Sequence, residues 1–252
     1  MARLIDQDRQ REQRRQSLLL DRLEAQFRGR IQRELIAAIR EAMRVYELTG
    51  EVPVMNDLRP RLEAVYRQMA EVSVRTFGAR VIDQGKAFRP DLERKDFAAT
   101  FARIAVAYIA QEAIRRRITA VSETTRAQVV NAVTAGFDEG LGVAEIARSI
   151  NSQVQAFTAA RAAMIARTET HGAANYGAQE AAKETGLRLK KEWVAAADER
   201  TRQDHVDADG ELVDETAPFI VGGEELMFPG DPAGSAAQVV NCRCAVSHVV
   251  ID

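Results

Sequence analysis

Cysteine, histidine and aromatic residues are all scarce in this chain of 252 residues. The two cysteines, Cys242 and Cys244, stand one residue apart, too close to staple distant segments, so a disulfide framework is excluded. The three histidines, His171, His205 and His248, form no His-Glu-x-x-His pattern, and no paired cysteine knuckles or Ser/His/Asp order accompanies them. Aromatics at 6% argue against a sheet-dominated sandwich. No apolar run approaches the roughly 18 to 20 residues that span a bilayer, and the Arg-rich, acid-containing start lacks the apolar core of a secretory signal. These absences predict a chain made in the cytoplasm with no membrane partner.

What remains is suited to helices. Hydrophobic residues at 46% can fill a core, and the 29% of charged residues come mostly in alanine- and arginine-rich stretches. The net charge of −2 conceals a split, with +5 over residues 1–160 and −7 over residues 161–252. Such a split predicts two regions with different neighbours, while neither is basic enough to announce nucleic-acid binding by charge alone.

Residues 1–16 are polar, with Arg9, Arg11, Arg14 and Arg15 among acids and glutamines, and read either as an arm or as solvated first helical turns. Leu20, Leu23, Phe27, Ile31, Leu35 and Ala38 then recur at steps of three and four, one face of a long helix ending near Gly50. Leu58, Leu62, Val65, Met69 and Val72 predict a second helix towards Phe77, followed by a break at Gly78, Gly85 and Pro90. Phe97, Phe101, Ile104 and Tyr108 predict a third, ending at Arg115, Arg116 and Arg117, where cations suit the negative helix terminus or could meet DNA phosphates. A fourth, capped by Ser122 or Thr124, buries Val130, Val133 and Phe137; a short fifth carries Val143, Ile146 and Ile150. An alanine-rich sixth runs from Phe157 to Thr185 and closes at Gly186. Beyond it, short valine- and aromatic-bearing runs predict strands at 187–195, 210–213, 219–228 and 245–251. The expected fold is a mainly α N-terminal helical region, residues 1–156, followed by a small α+β C-terminal domain, residues 157–252.

Four clusters in the tail are too specific for generic packing. Arg167-Thr168-Glu169 stands with Asn175 on the sixth helix; Arg167 and Glu169, two apart, must reach different partners. Trp193 precedes Ala196, Ala197, Asp198, Arg200, Thr201, Arg202, Asp204 and His205, in which Asp198 can cap a turn and the arginines can hold carboxylates or phosphates. Asp209-Gly210 is a hairpin signal, and Phe219, Phe228, Pro229, Gly230 and Asp231 follow it. Asn241-Cys242-Arg243-Cys244 then leads into the last strand with His248.

Taken in order, these landmarks resemble the C-terminal domain of the phage Mu F-like head morphogenesis proteins, over about residues 161–252. The resemblance implies a minor head protein of a phage, prophage or gene transfer agent, made in the host bacterial cytoplasm. It further implies a place at the portal vertex or capsid interior in several copies, partnership with the portal protein and/or the major capsid protein, contact with packaged DNA, and no catalytic turnover. It makes Arg167, Glu169, Asn175, Trp193, Asp198, Arg200, Arg202, His205, Asp209, Gly210, Pro229, Asn241, Cys242, Arg243 and Cys244 the family's structural motif.

The residues leave three readings of the cysteines open. Cys242 and Cys244 with His205, and His248 or Asp198 as a fourth ligand, offer the donors zinc prefers, and side chains two apart on an extended segment face the same way. Two reduced, buried thiols or a disulfide are the alternatives, and no cofactor is otherwise implied. Two rival functions also stand. One is a metal-dependent nuclease or hydrolase built on His205, Asp207, Asp209, Asn241 and His248; the other is a DNA-binding protein using the Arg-rich front, which the −7 of the tail opposes.

Overall fold

The computed structural model describes residues 2–196 and 198–251, with side chains from Arg11 onward. Met1, the Arg9 side chain and Ala197 lie outside them. The first helix, α1 (Ala2–Thr49), includes the polar start, so that stretch continues the helix rather than forming a separate arm. Its predicted stripe is buried from Leu20 to Ala38 and extends through Ile39, Met43 and Tyr46. Each large side chain so buried stabilises the fold by roughly 1.5–3 kcal/mol.

Helix α2 (Leu58–Gly85) begins two residues before Pro60, within a first turn that tolerates proline because its N–H groups have no helical partner. It does not break at Gly78. A Cβ there would lie 2.7 Å from the Phe101 ring, so this glycine is a packing notch that lets α3 approach. A 3-10 turn (Pro90–Arg94) leads to α3 (Ala98–Ala110), and α4 (Glu112–Asp138) follows after one extended residue, Gln111. The predicted third and fourth helices therefore divide at Gln111, not after the arginines. Arg115, Arg116 and Arg117 sit near the start of α4, where the helix dipole disfavours cations, and Ser122 and Thr124 are interior. Thr124 and Thr125 donate their hydroxyls to carbonyls of the preceding turn instead of capping. The buried face of α4 runs through Val129, Val133 and Gly136, so that Val133 lies on it as predicted while Val130 does not, and Phe137 is exposed with its ring edge-on to Tyr46. Gly136 faces inward because Ile146 packs on it.

The predicted fifth and sixth helices are one, α5 (Val143–Thr185). No proline or glycine interrupts residues 150–157, and Val154 is buried there. The Glu145 carboxylate accepts from the Gly142 N–H at its start, and Gly186, at φ +63°, ends it in the left-handed conformation that glycine adopts freely. α5 packs along α1 and α2. Its closest approach is at Gly177, where a Cβ would lie 2.6 Å from the Val74 Cα.

The tail carries β1 (Leu189–Val194), α6 (Gln203–Asp207), β2 (Leu212–Asp214), β3 (Phe219–Val221), β4 (Glu224–Leu226), α7 (Ala236–Val239) and β5 (Ala245–Val250). β1 is the centre of an antiparallel sheet ordered β2-β1-β5, with Trp193 opposite Val246 and Lys191 opposite His248. The tight two-residue hairpin is not at Asp209-Gly210. That dipeptide lies in the turn after α6 and hands the chain to β2, with the Gly210 N–H donating to the Trp193 carbonyl. The hairpin joins β3 to β4 through Gly222 and Gly223, both at positive φ. One hydrophobic core runs from Leu20 to Val246. Among the described residues, no helix is long and apolar enough to cross a membrane.

Gly177→Ala is expected to destabilise the chain by about 1–3 kcal/mol in denaturant unfolding, because the added methyl meets backbone that cannot yield locally. Gly29→Ala, whose Cβ would meet only the end of Arg33 at 3.8 Å, should instead stabilise by about 0.5–1 kcal/mol. Equal midpoints for the two variants would contradict the α2–α5 contact.

Candidate functional site

The C-terminal half of α5 is the platform on which the tail's special residues converge. Arg167 makes two hydrogen bonds to the Glu24 carboxylate on α1, at 3.0 and 2.8 Å, and a third to the Asn241 Oδ1 at 2.9 Å. Glu169 faces the opposite way and pairs with Arg117 of α4 at 3.6 Å. Burial pushes the Glu169 carboxyl up, and Arg117 pulls it back. Thr168 accepts the Asn241 N–H at 3.0 Å. Asn175, fully buried, donates to the Pro229 carbonyl at 2.8 Å and the Cys244 carbonyl at 3.0 Å, and accepts the Val246 N–H at 3.0 Å. One side chain so satisfies three backbone groups that the start of β5 and the Pro229 turn would otherwise bury unpaired.

Around that platform the turns are held by carboxylates. Asp231 accepts the N–H groups of Met227 and Ala233, and Asp209 accepts that of Ala195. Lys191 crosses the sheet interior to donate to the Met227 carbonyl at 2.7 Å, its ammonium over the Phe219 ring, and burial lowers it to about 8. Trp193 is enclosed between Phe219 and His205, edge to face with both, while Phe228 packs on Tyr176. Asp198 caps the following turn through the Arg200 N–H and pairs with Arg243 at 2.7 Å; Arg202 donates to the Val240 carbonyl. Arg200 is exposed at the mouth of a small cleft that it shares with Thr201, Asn241 and Arg243.

The cleft ends on the most chemically distinctive group in the molecule. His205, Cys242 and Cys244 are all buried, their donor atoms within 4.8 Å of one another. The His205 Nδ1 lies 3.3 Å from the Cys244 Sγ and 3.6 Å from the Cys242 Sγ. Its Nε2 lies 3.0 Å from the Gln238 Oε1, and the Gln238 amide nitrogen donates to Asp204 at 2.9 Å. The hydrogen bond shared by the two sulfurs lowers Cys242, against burial, and raises Cys244, which burial raises further. Two residues considered as a fourth ligand are elsewhere. Asp198 is engaged by Arg243, and His248 sits on β5 outside the group, its Nε2 without a partner among the described residues. Asp207, bonded to Gln203, and Asp209 are likewise outside the group. Sequence reasoning did not single out Gln238, Glu24 or Gly222. Gln238 lies in a four-residue helix with no periodic signal, and only the fold brings Glu24 to Arg167.

Residues 127–247 match the family model described as Phage Mu protein F like protein, and this part of the chain is a domain of that family. The chain is 35% identical over 145 residues to a protein of Enterococcus faecalis named NAD(+)--arginine ADP-ribosyltransferase EFV, the match covering 56% of this chain and 29% of that one. It is 34% identical over 140 residues to the Minor head protein GP7 of Bacillus phage SPP1, covering 52% of this chain and 44% of that one. It is 29% identical over 130 residues to the uncharacterized protein YqbB of Bacillus subtilis, covering 50% and 42%. The chain thus spans less than half the length of each of these curated relatives. No solved structure matches it.

Asn175→Ala should leave two carbonyls and one N–H buried without partners, and is expected to cost about 3 kcal/mol or more in unfolding free energy; a loss under about 1 kcal/mol would show the three bonds to be replaceable. Acid supplies a second test. Burial, aided by Arg167 and Arg243, lowers His171 to about 3, and burial beside Lys191 lowers His248 to about 4, both from 6.5. The unfolded chain therefore takes up protons below pH 6.5 that the folded chain refuses. Stability should be level in these groups above that value and fall as pH drops towards 4, by up to ~1.4 kcal/mol per pH unit for each histidine. His171→Gln should flatten that slope by about one proton in urea titrations across this range; an unchanged slope would mean that His171 is protonated in the folded chain.

Proposed function

We propose that this chain is a minor head protein of a phage or phage-derived particle, acting in head morphogenesis at the portal vertex or capsid interior rather than by catalytic turnover. The observation that carries the reading is the Mu F-like domain at residues 127–247, supported by the likeness to a protein named as a minor head protein. The arrangement of its motif agrees with a structural task. Arg167, Asn175, Asp198, Arg202 and Arg243 are directed at backbone groups, turns and ion pairs within the chain. The name of the enterococcal relative describes a protein of which this chain spans 29%, and it is not carried over.

The helical part, residues 1–156, is the part we assign to the portal or major capsid protein; the Mu F-like match begins within it, at residue 127, and runs on through most of the tail, residues 157–252. Phe88, Val106 and Phe137 are large apolar side chains exposed on it. For contact with packaged DNA, Arg115 and Arg116 are exposed on α4, whereas Arg117 is turned inward to Glu169. The reading is tested on gradient-purified heads from the producing cells, analysed by quantitative mass spectrometry. The chain is expected at low copy, in fixed ratio to the portal protein, and its deletion should yield particles defective in packaging or delivery. Heads that lack the chain and remain fully infective would sink the proposal.

A further inference from the structure

The strongest chemistry in the molecule that the head-protein reading leaves unexplained is the meeting of His205, Cys242 and Cys244. Three donor atoms converge on residues only 1–3% exposed. The tautomer of His205 is fixed by its neighbours. A carboxylate only accepts, so Gln238 must turn its amide nitrogen to Asp204 and its carbonyl oxygen to His205. The His205 Nε2 therefore carries the hydrogen, and the Nδ1 of the neutral ring presents its lone pair to both sulfurs. One lone pair can accept only one S–H. The second thiol is left with only its neighbour's sulfur, a weak acceptor, whereas one cation between the three atoms bonds to all of them.

We propose that His205 Nδ1, Cys242 Sγ and Cys244 Sγ form a zinc site that locks the Asn-Cys-Arg-Cys turn onto α6. The two nitrogen–sulfur distances are close to those the ion requires. Bonds of about 2.3 Å to sulfur and about 2.0 Å to nitrogen at the tetrahedral angle place nitrogen and sulfur about 3.5 Å apart, against 3.3 and 3.6 Å here. The spacing of one residue between the cysteines suffices because the intervening Arg243 turns outward to Asp198 and both thiols turn in.

The surroundings are those of a metal ligand set. An imidazole that binds metal through one nitrogen is held through the other by a carbonyl or carboxylate, the part Gln238 plays, with Asp204 behind it. Gly222 makes room for this relay, since a Cβ there would lie 2.1 Å from the Gln238 Nε2 and 2.5 Å from the Asp204 Oδ2. Two thiolates and a neutral imidazole would cancel the ion's charge. The fourth position faces the cleft bounded by Arg200, Thr201 and Asn241, whose volume of about 10 Å³ admits a single water. Water is assigned as the fourth ligand.

The test uses the full chain, purified under reducing conditions and dialysed against zinc or, separately, cobalt(II). Zinc is expected equimolar with the chain by elemental mass spectrometry. The cobalt form should show thiolate-to-cobalt charge transfer in the near ultraviolet and tetrahedral bands in the visible. In the wild-type chain both thiols should resist alkylation with zinc bound and react after chelation, with a fall in melting temperature. Cys242→Ser and Cys244→Ser should each weaken the charge-transfer band, and the double variant should abolish it. The wild-type spectra and alkylation need no variant to fold. Wild-type chain that is folded yet binds no stoichiometric metal, a cobalt spectrum without thiolate bands, metal retained in the double variant, or recovery of Cys242 and Cys244 as a disulfide would each overturn the proposal. None of these results depends on where the protein resides, so the site and the head-protein reading fail separately.

Discussion

Everything in the tail depends on how closely α5 lets its neighbours approach. Its buried face is built from Ala162, Ala166, Gly172, Ala173, Ala174, Gly177, Ala178 and Ala181, side chains too small to hold other backbones at the usual interhelical spacing of 8–10 Å. At Gly177 the α2 backbone comes within van der Waals contact, and at Gly172 a Cβ would lie 3.0 Å from the Gly230 carbonyl and 2.7 Å from the Tyr108 hydroxyl. Residues with short polar side chains can then reach main-chain atoms directly. Thr168 and Asn175 do so, where a face of leucines would have kept the β5 loop out of hydrogen-bonding range. The apolar area forgone by using alanine is offset by the three buried backbone groups that Asn175 satisfies.

Charge acts on top of this contact. The positive front and negative tail meet through Arg117 with Glu169 and Arg103 with Glu184, while Arg167 reverses the pattern by reaching forward to Glu24. These are unequal. Arg103 and Glu184 are largely exposed, so their pair is worth a fraction of a kcal/mol. Arg167 and Glu24 are mostly buried and bidentate, and removal of either would strand the other charge. Because Arg167 also holds Asn241, one guanidinium ties α1 to the turn that carries the cysteines, across more than two hundred residues of sequence.

The parts of the fold legible in the sequence were those with a period. Leu20 to Ala38 and Leu58 to Met69 repeat at helical spacing because one face of each helix is buried over its whole length. What the sequence concealed was the meaning of its glycines and of its breaks. Gly78 looks like punctuation, yet it accommodates Phe101, and Gly136, inside a predicted helix, accommodates Ile146. Conversely Gln111, with no breaking tendency of its own, carries the turn between α3 and α4, because the packing of those helices sets the corner. Asp-Gly and Gly-Gly are both turn dipeptides; only the pairing of β3 with β4 shows that the second makes the tight hairpin. In the candidate site, residue types and order are visible in the sequence, and a group of His205 with Cys242 and Cys244 is one of the readings they allow. Gln238 was not visible, since its role is to be reached by His205 rather than to fit a pattern.

The Asn-Cys-Arg-Cys sequence is compact because its constraints arrive from outside it. Asn241 is the one non-glycine among the described residues with positive φ, at 61°, a conformation asparagine tolerates better than most side chains. Its N–H is taken by Thr168 and its side-chain oxygen by Arg167, so α5 fixes the direction in which the chain leaves it. Cys242 then points inward, Arg243 outward to Asp198, and Cys244 inward, with its carbonyl bound by Asn175. A left-handed residue followed by an in, out, in alternation is all that four positions need to specify once both ends are pinned. Any residue at 241 with a branched side chain would resist the left-handed turn, and the inward side chains would lose their common direction even with both cysteines still in place.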